Sequence, residues 1–193
     1  MKIGILDSGV GGLAVAKYLK QDHHQIILIM DKAFFPYGCK NKMTLCKRAY
    51  FLCHYLIAEG VDIIVIACNT LSVVALDFLK ANLSFPIMGV FDYLIPYLTA
   101  DNLFIGSKHT IHYVQNHYEI EAYDGTELIE AIENNLPYQD FISRIHFNGK
   151  KKLILGCTHF LMLEEQAFPI ETVNQLALLR EDILKICYKK ILI

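Results

Sequence analysis

The chain has 193 residues, of which 54% are hydrophobic and 20% are charged. These proportions fit a well-packed globular protein of one large or two small domains, and they exclude a disordered chain. A net charge of −2 without a long basic run gives no signature of nucleic-acid binding. The uncharged run 63–76 is too short and too polar to span a bilayer, and no removable apolar leader opens the sequence. We therefore expect a cytoplasmic protein without a membrane segment.

The first half of the chain alternates strand patterns with helical patterns. Strands are predicted at 2–6, 25–30, 63–68 and 87–90, and helices at 13–20, 44–59 and 72–82. The glycine-rich turn from Asp7 to Gly12 joins the first strand to the first helix. Free backbone N–H groups at such a helix start favour a bound carboxylate or phosphate. The alternation predicts a parallel, right-handed sheet covered by helices.

The second half repeats this order in fewer residues. Strands are predicted at 103–105, 120–123, 153–157 and 170–173, and helices at 111–117, 126–134, 138–147, 160–167 and 176–190. We therefore expect an α/β fold of two pseudo-symmetric small domains, with the active site in the cleft between them. The predicted first domain is 1–90, completed by 170–193, and the second, shortened domain is 91–169.

The six cysteines are expected to be reduced, since no secretion signal precedes them. No Cys-x-x-Cys pair or Cys/His cluster at zinc spacing occurs, so no metal site is predicted. Cys39, Cys46 and Cys53 are spaced by seven, which places them on one stripe of a helix. We interpret Cys46, Cys53 and Cys187 as core residues.

Two stretches of the chain share a pattern in which an apolar run ends on a cysteine. They are 63–70, where Cys68 ends the run, and 153–159, where Cys157 does. Apolar runs without alternation are typical of strands buried on both faces, and ligands bind beyond the carboxyl ends of such strands. The two thiols are therefore predicted to face one another across a cleft, although a cysteine ending a buried strand is often only a small core residue.

Two opposed thiols suit one kind of chemistry particularly well. A thiolate can take a proton from one face of a carbon while a thiol returns one to the other face, which inverts a carbon next to a carboxylate. Asp7, at the end of a neighbouring strand, and His159, two residues beyond Cys157, would tune the thiols, unless they only cap or start helices. Neutral polar groups at the strand ends would bind the substrate, namely Ser8, Asn69, Thr70, Ser107, Thr110 and Thr158.

Four segments together resemble the signature sequences of the glutamate racemases, in the aspartate/glutamate racemase superfamily. They are the segments 7–12, 36–38, 67–70 and 155–159, and they follow the family's order over nearly the whole chain. The resemblance implies an isomerase that interconverts L- and D-glutamate without a cofactor or metal. It also implies D-glutamate supply for peptidoglycan, hence a role in cell wall biogenesis and cell shape, and a homodimer.

The resemblance also implies roles for individual residues. Cys68 matches the base that takes the α-proton of the D enantiomer, Cys157 the base for the L enantiomer, and Asp7 and His159 the residues that assist them. Substrate-binding positions of the family match Ser8, Pro36, Tyr37, Gly38, Asn69, Thr70, Thr110 and Thr158. Glu133 is equated with an acidic residue of the family, although the segment around Gly125 lacks the family's Cys-Pro.

The chain departs from the family pattern by being shorter, mainly in its second unit. Ser107 stands where the family has threonine, and Leu71 and Phe160 also differ from the usual residues. Two alternatives therefore stay open: a racemase for a related amino acid such as aspartate, and a silent amino-acid-binding homologue. A third is a dinucleotide-binding protein, since Gly9, Gly11, Ala14 and Asp31 have the spacing of that fingerprint.

Overall fold

The computed structural model describes residues 1–164 and 166–191. Its strands are β1 (Lys2–Asp7), β2 (Gln25–Met30), β3 (Ile63–Ile66), β4 (Ile87–Gly89), β5 (Leu103–Gly106), β6 (Glu121–Asp124), β7 (Leu153–Gly156) and β8 (Thr172–Val173). Its α-helices are α1 (Gly11–Leu19), α2 (Lys42–Ala58), α3 (Asn69–Asn82), α4 (Lys108–His117), α5 (Thr126–Glu133), α6 (Gln139–Ser143) and α7 (Leu176–Ile191). None of these helices is long and apolar enough to cross a membrane.

The strands form two four-stranded parallel sheets with the same topology. The strand order is β2-β1-β3-β4 in the first sheet and β6-β5-β7-β8 in the second. In the first sheet Ile5 of β1 lies opposite Leu28 of β2 and Val65 of β3. In the second sheet β5 holds the corresponding central place between β6 and β7. The predicted α/β fold with two parallel, helix-flanked sheets is confirmed.

The first sheet is buried on both faces, as its uninterrupted apolar strands predict. Alternate residues point to opposite faces of a strand, so β1 and β3 each supply two cores. Ile3, Ile5 and Val65 pack with Val15 of α1 and Ile183 of α7. On the opposite face α2 and α3 cover the sheet, where the buried residues include Leu6, Ile64, Ile66, Leu45, Leu56 and Leu79.

The second sheet is also covered on both faces. On one face Ile105 and Leu155 pack with Leu128 of α5 and Phe141 of α6. On the other face the core is formed with α4 and the 3₁₀ segment Phe91–Tyr97, and it contains Phe104, Ile154, Phe91, Leu94 and Val114. Sequence patterns did not predict this 3₁₀ segment, which contains Pro96.

The last helix returns to the first sheet, whereas β8 pairs with β7 in the second sheet. Arg180 of α7 donates hydrogen bonds of 2.6 and 2.7 Å to Asp22, which follows α1. The hydroxyl of Tyr93 donates to Asp182 over 3.0 Å. The chain therefore crosses between the sheets just before α7. The division into domains at residues 90 and 170 stays a prediction, and residues 192 and 193 of its C-terminal segment lie outside the described residues.

One predicted helix is wrong and another is too long. Residues 158–162 form a 3₁₀ segment where a helix was predicted over 160–167, of which residue 165 lies outside the described part. The N–H of Phe160 bonds to the carbonyl of Cys157 and that of Leu163 to Phe160, so the turn is tight and does not propagate. The helix predicted over 138–147 is limited to α6.

The predicted cysteine stripe holds for two of its three members. Cys46 and Cys53 are buried in α2, as predicted. Cys39 is exposed and lies in a 3₁₀ turn before Asn41, whose side chain caps α2, so its placement on the helix stripe is wrong. Cys187 is half-buried and packs beside the core of the first sheet.

Candidate active site

The two motif cysteines follow equivalent strands of the two sheets. Cys68 comes two residues after β3 and is the N-cap residue of α3, and Cys157 follows β7 directly. Both thiols line one small cavity of about 20 Å³, which has room for about one water molecule. Its lining residues are Ser8, Phe35, Pro36, Tyr37, Gly38, Cys39, Cys68, Thr70, Ser107, Thr126, Ile129, Cys157 and His159.

Cys68 lies in a dry environment close to a carboxylate. Burial, together with the negative charge of Asp7, raises the pKa of its thiol to about 12. Hydrogen bonds from the backbone N–H of Leu71 and from the hydroxyls of Ser8 and Thr70 oppose this rise in pKa. The Ser8 hydroxyl lies 3.6 Å from the sulfur atom. Cys68 is therefore held as a thiol, and it becomes a strong base once it is deprotonated.

Cys157 is paired with an imidazole ring. Its sulfur lies 3.4 Å from Nδ1 of His159. Burial, together with the charge that Cys68 carries when ionised, raises the pKa of Cys157 well above its ordinary value, and the backbone N–H of His159 opposes the rise. Because each thiolate raises the pKa of the other thiol, the pair favours states in which at most one sulfur is ionised.

Asp7 is fully buried behind Cys68 and connects the two halves of the molecule. Its Oδ1 accepts the N–H of Gly9 over 3.1 Å, and its Oδ2 accepts the hydroxyl of Thr158 over 2.9 Å. Burial raises the pKa of Asp7, against the lowering effects of His159 and these hydrogen bonds. Asp7 is not merely a helix cap, since the N-cap residue of α1 is Val10. It reaches Cys68 through Ser8, whose hydroxyl lies 3.5 Å from Oδ1.

Glu133 and His159 form a second connection between the halves. Nε2 of His159 lies 2.8 Å from Oε2 of Glu133, and the same oxygen accepts the N–H of Val10 over 2.8 Å. Lys32 lies 3.7 Å from the other carboxylate oxygen. Glu133 therefore links α5 to the N-terminus of α1, where the helix dipole favours a negative charge. With one ring nitrogen bonded to Glu133, His159 turns the other toward Cys157.

The segment 36–38 forms one wall of the cavity. The hydroxyl of Tyr37 donates to Asp31 over 2.7 Å. This hydroxyl is therefore bonded within the first unit, and Tyr37 lines the cavity with its ring and backbone. Gly38 lies so close to the second unit that a Cβ there would be 3.1 Å from Cβ of Ser107. A side chain at position 38 would fit only if Ser107 shifted by a few tenths of an ångström, so this close approach favours glycine.

The remaining predicted polar residues divide into two groups. Thr70 and Ser107 line the cavity and their hydroxyls are 2.7 Å apart. Thr110 lies behind them and donates to the carbonyl of Ser107 over 2.8 Å. Asn69 is buried, and both polar atoms of its amide lack a partner in the described part of the chain. A buried amide without partners is costly, so Asn69 is suited to bind a ligand.

Five predicted site residues lie next to the cavity without lining it: Asp7, Asn69, Thr110, Glu133 and Thr158. Four lining residues were not predicted, namely Phe35, Cys39, Thr126 and Ile129. Thr126 and Ile129 lie on α5, which follows β6. Their position just after the end of a strand was the feature of the sequence that could have predicted them as site residues. Phe35 and Cys39 flank the predicted segment 36–38.

The geometry argues against the dinucleotide alternative. A Cβ at Gly11 would lie 2.5 Å from Oγ1 of Thr158, so the second unit fills the space over the glycine turn. Asp31 is buried and bonded to Arg48 and Tyr37, which leaves it unavailable to a ribose. The turn therefore has no room for a pyrophosphate.

Comparison with known proteins identifies the family. No family model matches the chain. A glutamate racemase from Exiguobacterium sibiricum is 32% identical over 187 residues, covering 84% of this chain and 69% of the relative. One from Campylobacter jejuni is 36% identical over 186 residues, covering 84% and 74%. The crystal structure of glutamate racemase from Thermus thermophilus with β-chloro-D-alanine matches with a TM-score of 0.82 and 26% identity, covering 98% of this chain and 81% of that one. The chain therefore belongs to the glutamate racemase family.

Proposed function

We propose that the protein interconverts L- and D-glutamate, with Cys68 and Cys157 as the two bases. The observation that carries this proposal is that two cysteines, each following the third strand of its sheet in chain order, line one cavity. The family to which the chain belongs supports glutamate as the substrate. Asp7, through Ser8, would tune Cys68, and His159, oriented by Glu133, would tune Cys157.

The reaction needs only a proton on each side of the substrate carbon. The thiolate of one cysteine takes the α-proton, the electron pair of the broken C–H bond moves toward the carboxylate, and the thiol of the other cysteine protonates the opposite face. The first cysteine ends as a thiol and the second as a thiolate, which is the state that the product enantiomer requires. We assign removal of the proton from D-glutamate to Cys68 and from L-glutamate to Cys157.

Neutral donors would bind the substrate's charged groups. Neither Lys nor Arg is among the lining residues, whereas Ser8, Thr70 and Ser107 supply hydroxyls and the segment 36–38 supplies backbone groups. The unpartnered amide of Asn69 lies directly after Cys68 and can both donate and accept. Thr110 would orient Ser107, and Thr158 would orient Asp7. Hydrogen bonds of this kind bind a carboxylate without adding net charge to the site.

A racemisation assay without cofactor tests the proposal. The purified chain is dialysed against a chelator and given L-glutamate, and the D-glutamate formed is measured, with L-aspartate as the comparison substrate. We expect D-glutamate to form from glutamate and much less product from aspartate. Activity that disappears on dialysis and returns only with pyridoxal phosphate or a metal would refute a cofactor-independent mechanism. Binding of glutamate without turnover would favour the silent homologue.

The wider role is part of the same proposal. D-Glutamate made by this reaction would supply peptidoglycan synthesis in the cytoplasm, and through it cell wall biogenesis and cell shape. The homodimer stays a prediction from the family resemblance. Light scattering of the purified protein tests it, because a mass of one chain at working concentrations would contradict a dimer.

A further inference from the structure

The cavity wall 36–38 is attached to the first unit through one buried carboxylate. Asp31 follows β2 directly, and its N–H bonds to the carbonyl of Asp7 over 2.9 Å. Its Oδ2 accepts the hydroxyl of Tyr37 over 2.7 Å, and its carbonyl accepts the N–H of Phe34 over 3.0 Å. Asp31 therefore bonds to three points: the strand end at Asp7, the loop at Phe34, and the ring at the cavity.

Arg48 of α2 fixes the orientation of this carboxylate. Its Nε and one terminal nitrogen donate to the two oxygens of Asp31 over 2.8 and 2.7 Å. Its guanidinium also lies 4.7 Å from the centre of the Phe34 ring. Such a planar two-point contact sets the direction of both carboxylate oxygens, which a lysine cannot do. Burial opposes ionisation of Asp31, but the bonds from Arg48 and Tyr37 outweigh it and lower the pKa of Asp31.

We propose that Arg48, acting through Asp31, is a positioning residue that sets the place of the Tyr37–Gly38 wall against the substrate. The inference rests on the proposed function, in which residues 36–38 bind glutamate. The wall has little freedom, because Gly38 is packed against Ser107 and the carbonyl of Lys40 bonds to His109 over 2.7 Å. A displaced Tyr37 would therefore change the shape of a cavity that is already small.

The chain contains a matched control for this ion pair. Arg180 and Asp22 form the same two-point contact, with distances of 2.7 and 2.6 Å, and this pair joins α7 to the end of α1. The Arg side chains are 29% exposed at position 48 and 39% exposed at position 180. The two arginines therefore differ mainly in the other contacts of their partner carboxylates. Asp31 also accepts a hydrogen bond from Tyr37 of the cavity wall, whereas Asp22, within the part of the chain that the structure describes, contacts no residue of that wall.

The test compares Arg48→Lys with Arg180→Lys in racemisation assays in both directions. We expect Arg48→Lys to raise KM for glutamate by about tenfold, the loss that follows from weakening one charge-assisted contact in the wall, and to change kcat less than KM. Arg180→Lys should leave KM within twofold of the wild-type value. A purely structural role of Arg48 would reduce the fraction of folded enzyme and so lower the apparent kcat without changing KM. Equal KM values for the two variants would overturn the proposal.

Tyr37→Phe decides the question if Arg48→Lys fails to fold. It removes the hydrogen bond to Asp31 and keeps the ring, so we expect KM to rise as well. An unchanged KM for Tyr37→Phe would show that Asp31 does not act through this ring, and the inference would fail.

Amide hydrogen exchange gives a readout that does not depend on glutamate chemistry. In Arg48→Lys the amides of peptides covering residues 34–40 should exchange faster than in Arg180→Lys. The backbone hydrogen bonds donated by Phe34, Phe35 and Lys40 should open more often once Arg48 no longer fixes Asp31. Unchanged exchange in these peptides would overturn the positioning role. A wild-type protein that binds no glutamate and makes no D-glutamate would instead refute the proposed function, and the exchange data would still decide whether Arg48 holds the loop.

Discussion

Replacing each thiol separately by alanine tests the two-base mechanism most directly. In Cys68→Ala the neighbouring groups are the Ser8 hydroxyl, 3.6 Å from the lost sulfur, and the buried Asp7 behind it. A serine hydroxyl ionises far less readily than a thiol, and Asp7 does not line the cavity, so we expect neither group to replace Cys68. General acid–base catalysis by one group contributes about 10²–10⁴ in rate. We therefore expect racemisation to fall at least about 100-fold in Cys68→Ala, and equally in Cys157→Ala.

The surviving thiol of each variant should keep a partial reaction. It can remove the α-proton of the enantiomer that it faces and return a proton to the same side, without inversion. In heavy water, Cys157→Ala should therefore exchange the α-hydrogen of D-glutamate, and Cys68→Ala that of L-glutamate. Proton NMR of the α-hydrogen measures this exchange, and circular dichroism measures inversion in the same samples.

Cys53→Ala is the matched control for loss of a buried cysteine. Burial raises the pKa of Cys53 to about 12, as for Cys68, but Cys53 lies on the buried face of α2 and does not line the cavity. A core substitution of this size costs about 1 kcal/mol of stability, so this variant should fold and keep its activity. Racemisation within tenfold of wild type in either Cys68→Ala or Cys157→Ala would refute the mechanism and the site assignment.

Three further predictions concern the thiols. The rate should follow a bell-shaped pH curve, since one cysteine must be a thiolate and the other a thiol. Because burial and the charge of Asp7 raise the pKa of Cys68 to about 12, the rate should rise from neutral into alkaline pH before it falls, and a flat profile or a rise without any fall would contradict this. Asp7→Asn removes a negative charge that raises the pKa of Cys68, so the thiolate absorbance of this variant should appear at lower pH than in the wild type. An unchanged or higher midpoint of this absorbance titration would show that the charge does not act on Cys68. Cys39 is exposed whereas Cys46, Cys53 and Cys68 are buried, so a thiol reagent should modify Cys39 first, in a fast phase of the reaction. Cys39→Ser should abolish this fast phase, and modification of Cys68 first would contradict the burial.

The fold and the positions of the two thiols follow closely from the sequence. Uninterrupted apolar runs such as 63–66 predict strands buried on both faces, and β3 and β7, which these runs form, are interior strands of the two sheets. Parallel strands present their carboxyl ends at one edge of a sheet, and two similar units are expected to face each other across a cleft. Cys68 and Cys157 are therefore predicted to meet in that cleft, and they line the same cavity.

Contacts between distant residues could not be predicted from local patterns. Val10 and Glu133 are 123 positions apart, and their hydrogen bond depends on how the two units pack. The Arg48–Asp31 pair is equally invisible in the sequence, since nothing local distinguishes Arg48 from a solvent-exposed basic residue on a helix. The helix predicted over 160–167 is wrong for a related reason. Phe160 is buried where α5 and α6 cover the second sheet, and it lies in a tight turn that local helical periodicity does not reveal.

The cavity between the thiols has a consequence for substrate affinity. Glutamate is several times larger than a single water molecule, whereas the cavity measures about 20 Å³, so the groups around the cavity must move apart before glutamate fits between the thiols. Around the cavity, four hydrogen bonds between described residues join the two units, namely those of Thr158 to Asp7, Val10 to Glu133, Thr70 to Ser107 and His109 to Lys40.

If that movement breaks all four bonds, at about 0.5–1.5 kcal/mol each they favour the closed arrangement by about 2–6 kcal/mol. The open, receptive population is then about one molecule in 30 to one in 20,000, and the apparent dissociation constant rises by the same factor. The contacts that bring the thiols together thus also limit how tightly the free protein can bind its substrate.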